Sequence, residues 1–157
     1  MPYQWMFFKS ALDAGLADFA YRIADTALTL WQNECAESYC CFEHFMIESR
    51  RGAGWHQFSG LSSPIVQWFS AYYRPGTLTT GFDAFVRHTD WAPDNSALDA
   101  TLDFTAAGRS TVLAVLQPGP KAVTASVPCT VTTRHDGLLE LTFALDAPCT
   151  VTISIHS

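Results

Sequence analysis

Positive charge is scarce in this sequence. Lysine occurs only as Lys9 and Lys121, and nine lysines and arginines face fifteen aspartates and glutamates, for a formal net charge of −6. Gripping a phosphate backbone takes a dense cationic face, so nucleic acid is not an expected partner, and a neutral or cationic ligand fits better. Long apolar runs are missing too. No stretch reaches the roughly 20 residues that cross a bilayer as a helix, so no membrane partner is expected. The apolar opening MPYQWMFFKS lacks the charged start of a secretory signal. A paired cysteine framework is also lacking: Cys35, Cys40, Cys41, Cys129 and Cys149 are odd in number, and two are adjacent. Reduced thiols and a cytoplasmic compartment follow as the expectation. What is present is apolar: 48% of residues are hydrophobic and 15% charged, which excludes a disordered chain.

The hydrophobic period changes once along the chain. Residues 1–76 carry a helical period. Ser10 reads as an N-cap with Asp13 three positions on, and Leu12, Leu16, Phe19, Ile23, Ala27 and Leu30 recur at steps of three and four. This predicts one long helix running to about Cys35. A second helix is predicted from a Ser63 cap and Pro64, with Ile65, Phe69 and Tyr72 on one side, ending at Arg74-Pro75-Gly76. From Thr77 the period becomes two. Leu98, Ala100, Leu102 and Phe104 alternate with polar residues, as do Leu139, Leu141, Phe143 and Leu145, and Cys149, Val151, Ile153 and Ile155. Asp136-Gly137 predicts a hairpin turn. Pro-Cys-Thr-Val-Thr at 128–132 returns at 148–152, reading as two similar strand entries. The fold class is therefore α+β: a helical hairpin over 1–76, then an antiparallel β-sandwich of seven or eight strands over 77–157.

The connection between the helices, 36–62, is too long and too aromatic for a plain loop. It holds Glu37, Glu43 and Glu48, His44 and His56, and Tyr39, Phe42, Phe45, Trp55 and Phe58. Sugars offer flat patches of C–H groups on which aromatic rings stack at little rotamer cost. Phe42 and Phe58 are expected in the core and Trp55 toward a ligand. Gly52 and Gly54 allow a tight turn and close backbone approach. His56 is a candidate hydroxyl donor. Cys35, Cys40, Cys41, His44 and His56 lack zinc-ligand spacing, and Cys41 with His56 lacks an oxyanion signature. No metal and no cofactor are expected.

The order of long helix, acidic aromatic loop, helix and sandwich resembles the C-terminal end of inverting glycoside hydrolases built on a six-hairpin α/α toroid, which include trehalases, processing α-glucosidases and mannosylglycerate hydrolases. The resemblance rests on Glu43-His44-Phe45, then Glu48 to Gly54, then Phe58-Ser59. His44 stands where Asn or Lys is usual, and Gly60-Leu61-Ser62 where a Trp-Ser or Trp-Thr is common. The resemblance implies Glu43 as general base, Phe45, Trp55, His56 and His44 near a carbohydrate, and a general-acid Asp upstream of this region. Residues 1–42 hold no candidate for that acid. The chain thus reads as a fragment, inactive by itself, whose exposed helical stripe calls for a homodimer or for the N-terminal portion of the barrel. The alternatives are a non-catalytic sandwich that binds carbohydrate or protein, and a structural subunit completing a separate catalytic chain.

Overall fold

The computed structural model describes residues 2–57 and 63–156. Helices α1 (Pro2–Asp13) and α2 (Ala17–Ser38) lead into a two-stranded ribbon, β1 (Phe42–Phe45) and β2 (Gly52–His56), and then α3 (Pro64–Tyr73). Eight strands follow: β3 (Thr77–Thr79), β4 (Ala84–Trp91), β5 (Leu98–Phe104), β6 (Gly108–Val115), β7 (Ala122–Ala125), β8 (Cys129–His135), β9 (Leu138–Leu145) and β10 (Cys149–His156). All pairings are antiparallel, in the orders β4-β5-β10-β7 and β3-β6-β9-β8. The protein is α+β; α3 ends at Tyr73 and β3 begins at Thr77, across Arg74-Pro75-Gly76, while the 36–62 segment expected as a loop contains the ribbon β1–β2.

The predicted single helix from Ser10 to Cys35 is two helices. Gly15 stops the first at φ 67°, a left-handed conformation that favours glycine. The Gly15 N–H donates to the Leu12 carbonyl at 3.0 Å and the Leu16 N–H to the Ala11 carbonyl at 2.8 Å, the paired bonds of a Schellman stop. A side chain at this glycine would sit 2.7 Å from Arg109 Cβ, so the turn also lets α1 approach β6. Ser10 lies inside α1 rather than capping a helix. Ser63 takes helical dihedrals and makes no capping bond through its side chain.

Of the predicted stripe, Leu12 and Ala27 are buried, and the buried face of α2 is made largely of alanines. Ala20, Ala24 and Ala27 are inside, whereas Leu16 and Phe19 are exposed. Small side chains let helix axes come close, and the larger neighbours supply the filling: Phe8 and Leu12 from α1, with Ile65, Trp68, Ala71 and Tyr72 from α3. Of the three residues predicted on one side of α3, Ile65 and Tyr72 are buried and Phe69 is exposed, with Trp68 buried beside them. Phe8 meets Trp68 and Tyr72 edge-on at 6.4 and 6.0 Å between ring centroids, a favourable aromatic geometry.

The helices do not form a separate core. Leu113, Val115 and Leu138 of β6 and β9 pack into them, while Val112, Ala114, Leu139 and Leu141 point the other way, toward Leu102, Phe104, Val151 and Ile153 of the facing sheet. The result is three layers. The central strands β6 and β9 of the middle sheet are covered on both faces, which is why β6 is buried from Ser110 through Val115 instead of alternating.

A charged bridge crosses the boundary between helices and middle sheet. Glu140 on β9 is only 2% exposed and accepts two bonds from Arg134 on β8. Arg134 also donates to Asp18 on α2 at 2.6 Å, and its guanidinium lies 4.5 Å from the centre of the Tyr21 ring. Removing one partner of a buried ion pair leaves an uncompensated charge, at a cost of about 3–5 kcal/mol. Arg134→Ala is expected to lower unfolding free energy by that order in urea titration. The double variant Arg134→Met with Glu140→Leu is expected to recover most of it.

Candidate functional site

The ribbon β1–β2 stands between α2 and α3 and carries the residues singled out in the sequence. Tyr39 reverses the chain at the end of α2. Its φ is 55°, and its N–H donates to the Cys35 carbonyl at 3.0 Å. Phe42 pairs with His56, His44 with Ala53 and Phe45 with Gly52, with an irregularity between Phe42 and His44. At the far end the Met46 N–H donates to the Arg51 carbonyl at 3.0 Å and the Arg50 N–H to the Met46 carbonyl at 2.9 Å.

A short isolated ribbon is marginally stable by itself. This one is pinned to α2 by Glu34, which is 3% exposed. Arg51 donates to its two carboxylate oxygens, Nε at 2.8 Å and Nη2 at 3.2 Å, and the Gly52 N–H adds a third bond at 2.8 Å. Arg51 Nη1 also lies 2.7 Å from Glu37. Glu37, a candidate from the sequence, is thereby engaged at the helix end. Glu48 lies in the exposed turn. The Arg51 bonds, followed by the Gly52 N–H, hold the Glu34 carboxyl down to about 2 against an ordinary 4.5.

The glycines do what their positions demand. A side chain on Gly52 would lie 2.2 Å from the Phe42 ring, so Phe42 can bury itself only against bare backbone. Gly54 has φ 84°, and a side chain there would lie 2.6 Å from Glu43 Oε2 and 3.0 Å from His44 Cε1. The half-buried Glu43 carboxylate therefore lies across the Gly54 backbone. Phe42 is in the core as expected, with its ring centroid 5.0 Å from that of His56. Trp55 is 71% exposed. Phe58, with Ser59 and Gly60-Leu61-Ser62, lies outside the described residues.

A groove of about 910 Å³ runs between the outer face of α2 and the ribbon turn. Phe19, Ile23 and Leu30 line one side, and Phe45, Met46 and Ile47 the other. His44 and Phe45 thus share one depression, while Glu43, Trp55 and His56 are not among its lining residues. Phe19, Ile23 and Leu30, part of the helical stripe expected to be left exposed, form one wall of this groove.

A second polar cluster lies on the outer face of β4-β5-β10-β7, around a hollow of about 370 Å³. Ser154 Oγ is 2.5 Å from Asp99 Oδ1 and 2.5 Å from His156 Nε2, and that same nitrogen is 3.5 Å from Asp99. A nucleophilic triad needs the carboxylate on the other ring nitrogen, so this cluster is not one. Among the described residues no group of His, Cys, Asp or Glu could hold a metal ion, and no helix is long and apolar enough to cross a membrane.

The chain matches no protein-family model, no curated protein and no solved structure.

Sequence reasoning passed over Glu34 and Arg51. The available signal was Glu34 falling in step with Ala20, Ala24 and Ala27 on the inward face of α2. A carboxyl held low in the folded state stabilises above its unfolded value and loses that contribution as pH falls through the folded value. The Glu34 contribution is expected to be complete above pH 4.5 and to drain away toward about 2. Urea midpoints measured across that window should fall for the wild type and fall less steeply for Glu34→Gln.

Proposed function

We propose that the chain is the C-terminal part of an inverting glycoside hydrolase, with Glu43 as general base. The observation that carries this reading is the Glu43 carboxylate laid over Gly54 on a ribbon clamped to α2 by the buried Glu34–Arg51 pair. A base must be held where it can deprotonate one water, and clamped backbone is the means of holding it. Phe45, Trp55, His56 and His44 are the groups proposed to meet the sugar. Inversion needs a second carboxyl group about 6.5–9.5 Å away to protonate the leaving oxygen. Glu34 and Glu37 are tied up by Arg51, and the proposed acid belongs to the remainder of the enzyme. In this reading the helices are the last hairpin of an α/α toroid, and the eight strands are a β-sandwich bracing it.

Leaving groups separate base from acid. Fluoride departs without protonation, whereas an alkoxide needs it. As a fragment without its acid the chain is expected to be inactive on alkyl glycosides, and glycosyl fluorides, which bypass the acid, are the substrates that report Glu43. Glu43→Gln should lower the fluoride rate by roughly 10²–10⁴-fold, the usual worth of acid–base assistance. Equal fluoride release by wild type and Glu43→Gln would remove Glu43 as the base.

The helical surface favours a covering partner. Tyr3, Met6 and Phe7 of α1, Phe19 of α2, and Val66 and Phe69 of α3 are all more than 40% exposed. Monomers usually keep single apolar patches to about 300–600 Å². Either the rest of the barrel or a second copy covers this surface. The isolated chain is expected to self-associate, so light scattering across a concentration series should report a mass above 17.3 kDa. A constant monomer mass would argue against both covers.

A further inference from the structure

Three of the five cysteines gather where α2 hands over to the ribbon. Cys35 lies in the last turns of α2, and Cys40 and Cys41 directly precede β1. All three are half-buried and free. The Cys35 thiol donates to the Cys40 carbonyl at 3.3 Å, which draws its sulfur toward the 40–41 segment. That carbonyl belongs to the peptide that joins Cys40 to Cys41, so the contact sets the Cys35 sulfur next to the backbone leading into Cys41. Tyr39, 88% exposed, makes the reversal that returns the 40–41 segment to the side of Cys35.

We infer that Cys35 and Cys41 form an oxidisable dithiol, a modification site whose disulfide staples the ribbon to α2. Cys40 meets Cys35 through its carbonyl oxygen and is not the partner. The oxidant is a low-molecular-weight disulfide such as oxidised glutathione. The Cys41 thiolate attacks one oxidant sulfur and expels one small thiolate, giving a mixed disulfide. The Cys35 thiolate then attacks the Cys41 sulfur and expels the second. The protein gives up two protons and two electrons, and the oxidant's one disulfide becomes two thiols. Burial, then the neighbouring Cys41 thiol, push the Cys35 thiol up, so Cys35 suits the second, intramolecular step, where proximity compensates for a small thiolate fraction.

The staple closes a short loop over the hinge that carries Glu43, two residues beyond Cys41. Its effect on catalysis rests on the reading of Glu43 as base, whereas its formation does not. The test uses the intact 157-residue chain. It is equilibrated in oxidised and reduced glutathione at a series of ratios, acid-quenched, alkylated and weighed. The expected product is a monomer lighter by about 2 Da before alkylation, with two of its thiols protected. Cleavage after glutamate separates Cys35 from Cys41 at Glu37, so the product should contain the fragment 35–37 joined to 38–43. Cys40→Ser should oxidise as the wild type does. Cys35→Ser and Cys41→Ser should yield roughly tenfold less intramolecular product at the same ratio. Circular dichroism matching the wild type will show that each variant is folded, with Cys→Ala as the substitute where it is not. Wild-type chain that stays fully reduced or forms only intermolecular disulfides would overturn the proposal, as would a product that survives in Cys41→Ser. Because the readout is mass, failure of the dithiol is distinguishable from failure of the base.

Discussion

The central strands of the middle sheet, β6 and β9, must be kept from water on both faces, and the other layers are arranged around that need. Alternate residues of β6 and β9 face opposite ways, and both sets are apolar: Val112, Ala114, Leu139 and Leu141 on one side, Leu113, Val115 and Leu138 on the other. One face takes the second sheet and the other takes the helices. Two polar pairs of the middle sheet face the helices: Glu140 with Arg134, and the Thr111 hydroxyl with the Thr142 hydroxyl at 2.9 Å. A buried polar group without a partner would cost about 1–3 kcal/mol.

Covering that sheet sets the orientation of α2, and α2 in turn sets the ribbon. With Ala20, Ala24 and Ala27 turned inward, Glu34 falls on the same side at the far end of the helix, out of water and available to Arg51 and the Gly52 N–H. The opposite side of α2 then carries Phe19, Ile23 and Leu30 outward as the wall of the groove. One rotational setting of one helix thus couples the fold of the sheets to the placement of Glu43. The Cys35–Cys41 pair sits on the hinge of that coupling.

Much of the β half was readable from period alone. The hairpin turn predicted at Asp136-Gly137 joins β8 and β9, with Gly137 at φ 91°. The repeated Pro-Cys-Thr-Val-Thr marks the entries of β8 and β10, which lie in different sheets. The helical half was read less well. A period carried across Gly15 joined two helices into one, because a step of three and four is indifferent to a glycine that only the backbone dihedral reveals as a stop. The stripe of large apolar residues was read as a face left open, but the face of α2 that turns inward was not read: the alanines are inside because close helix approach requires small side chains.

The candidate site divides the same way. Composition and spacing alone marked the 36–62 segment as chemically loaded, placed Phe42 in the core and asked for bare backbone at Gly52 and Gly54, because those conclusions need only local geometry and residue type. Which carboxylate is presented and which is consumed as an anchor was decided by tertiary structure. Glu34, Glu37 and Glu43 are alike as residues. Arg51, 17 positions beyond Glu34, reaches Glu34 and Glu37 but leaves Glu43 lying over Gly54. Ion pairs between residues so far apart in sequence carry no period, and only the packing of the ribbon on α2 brings them together.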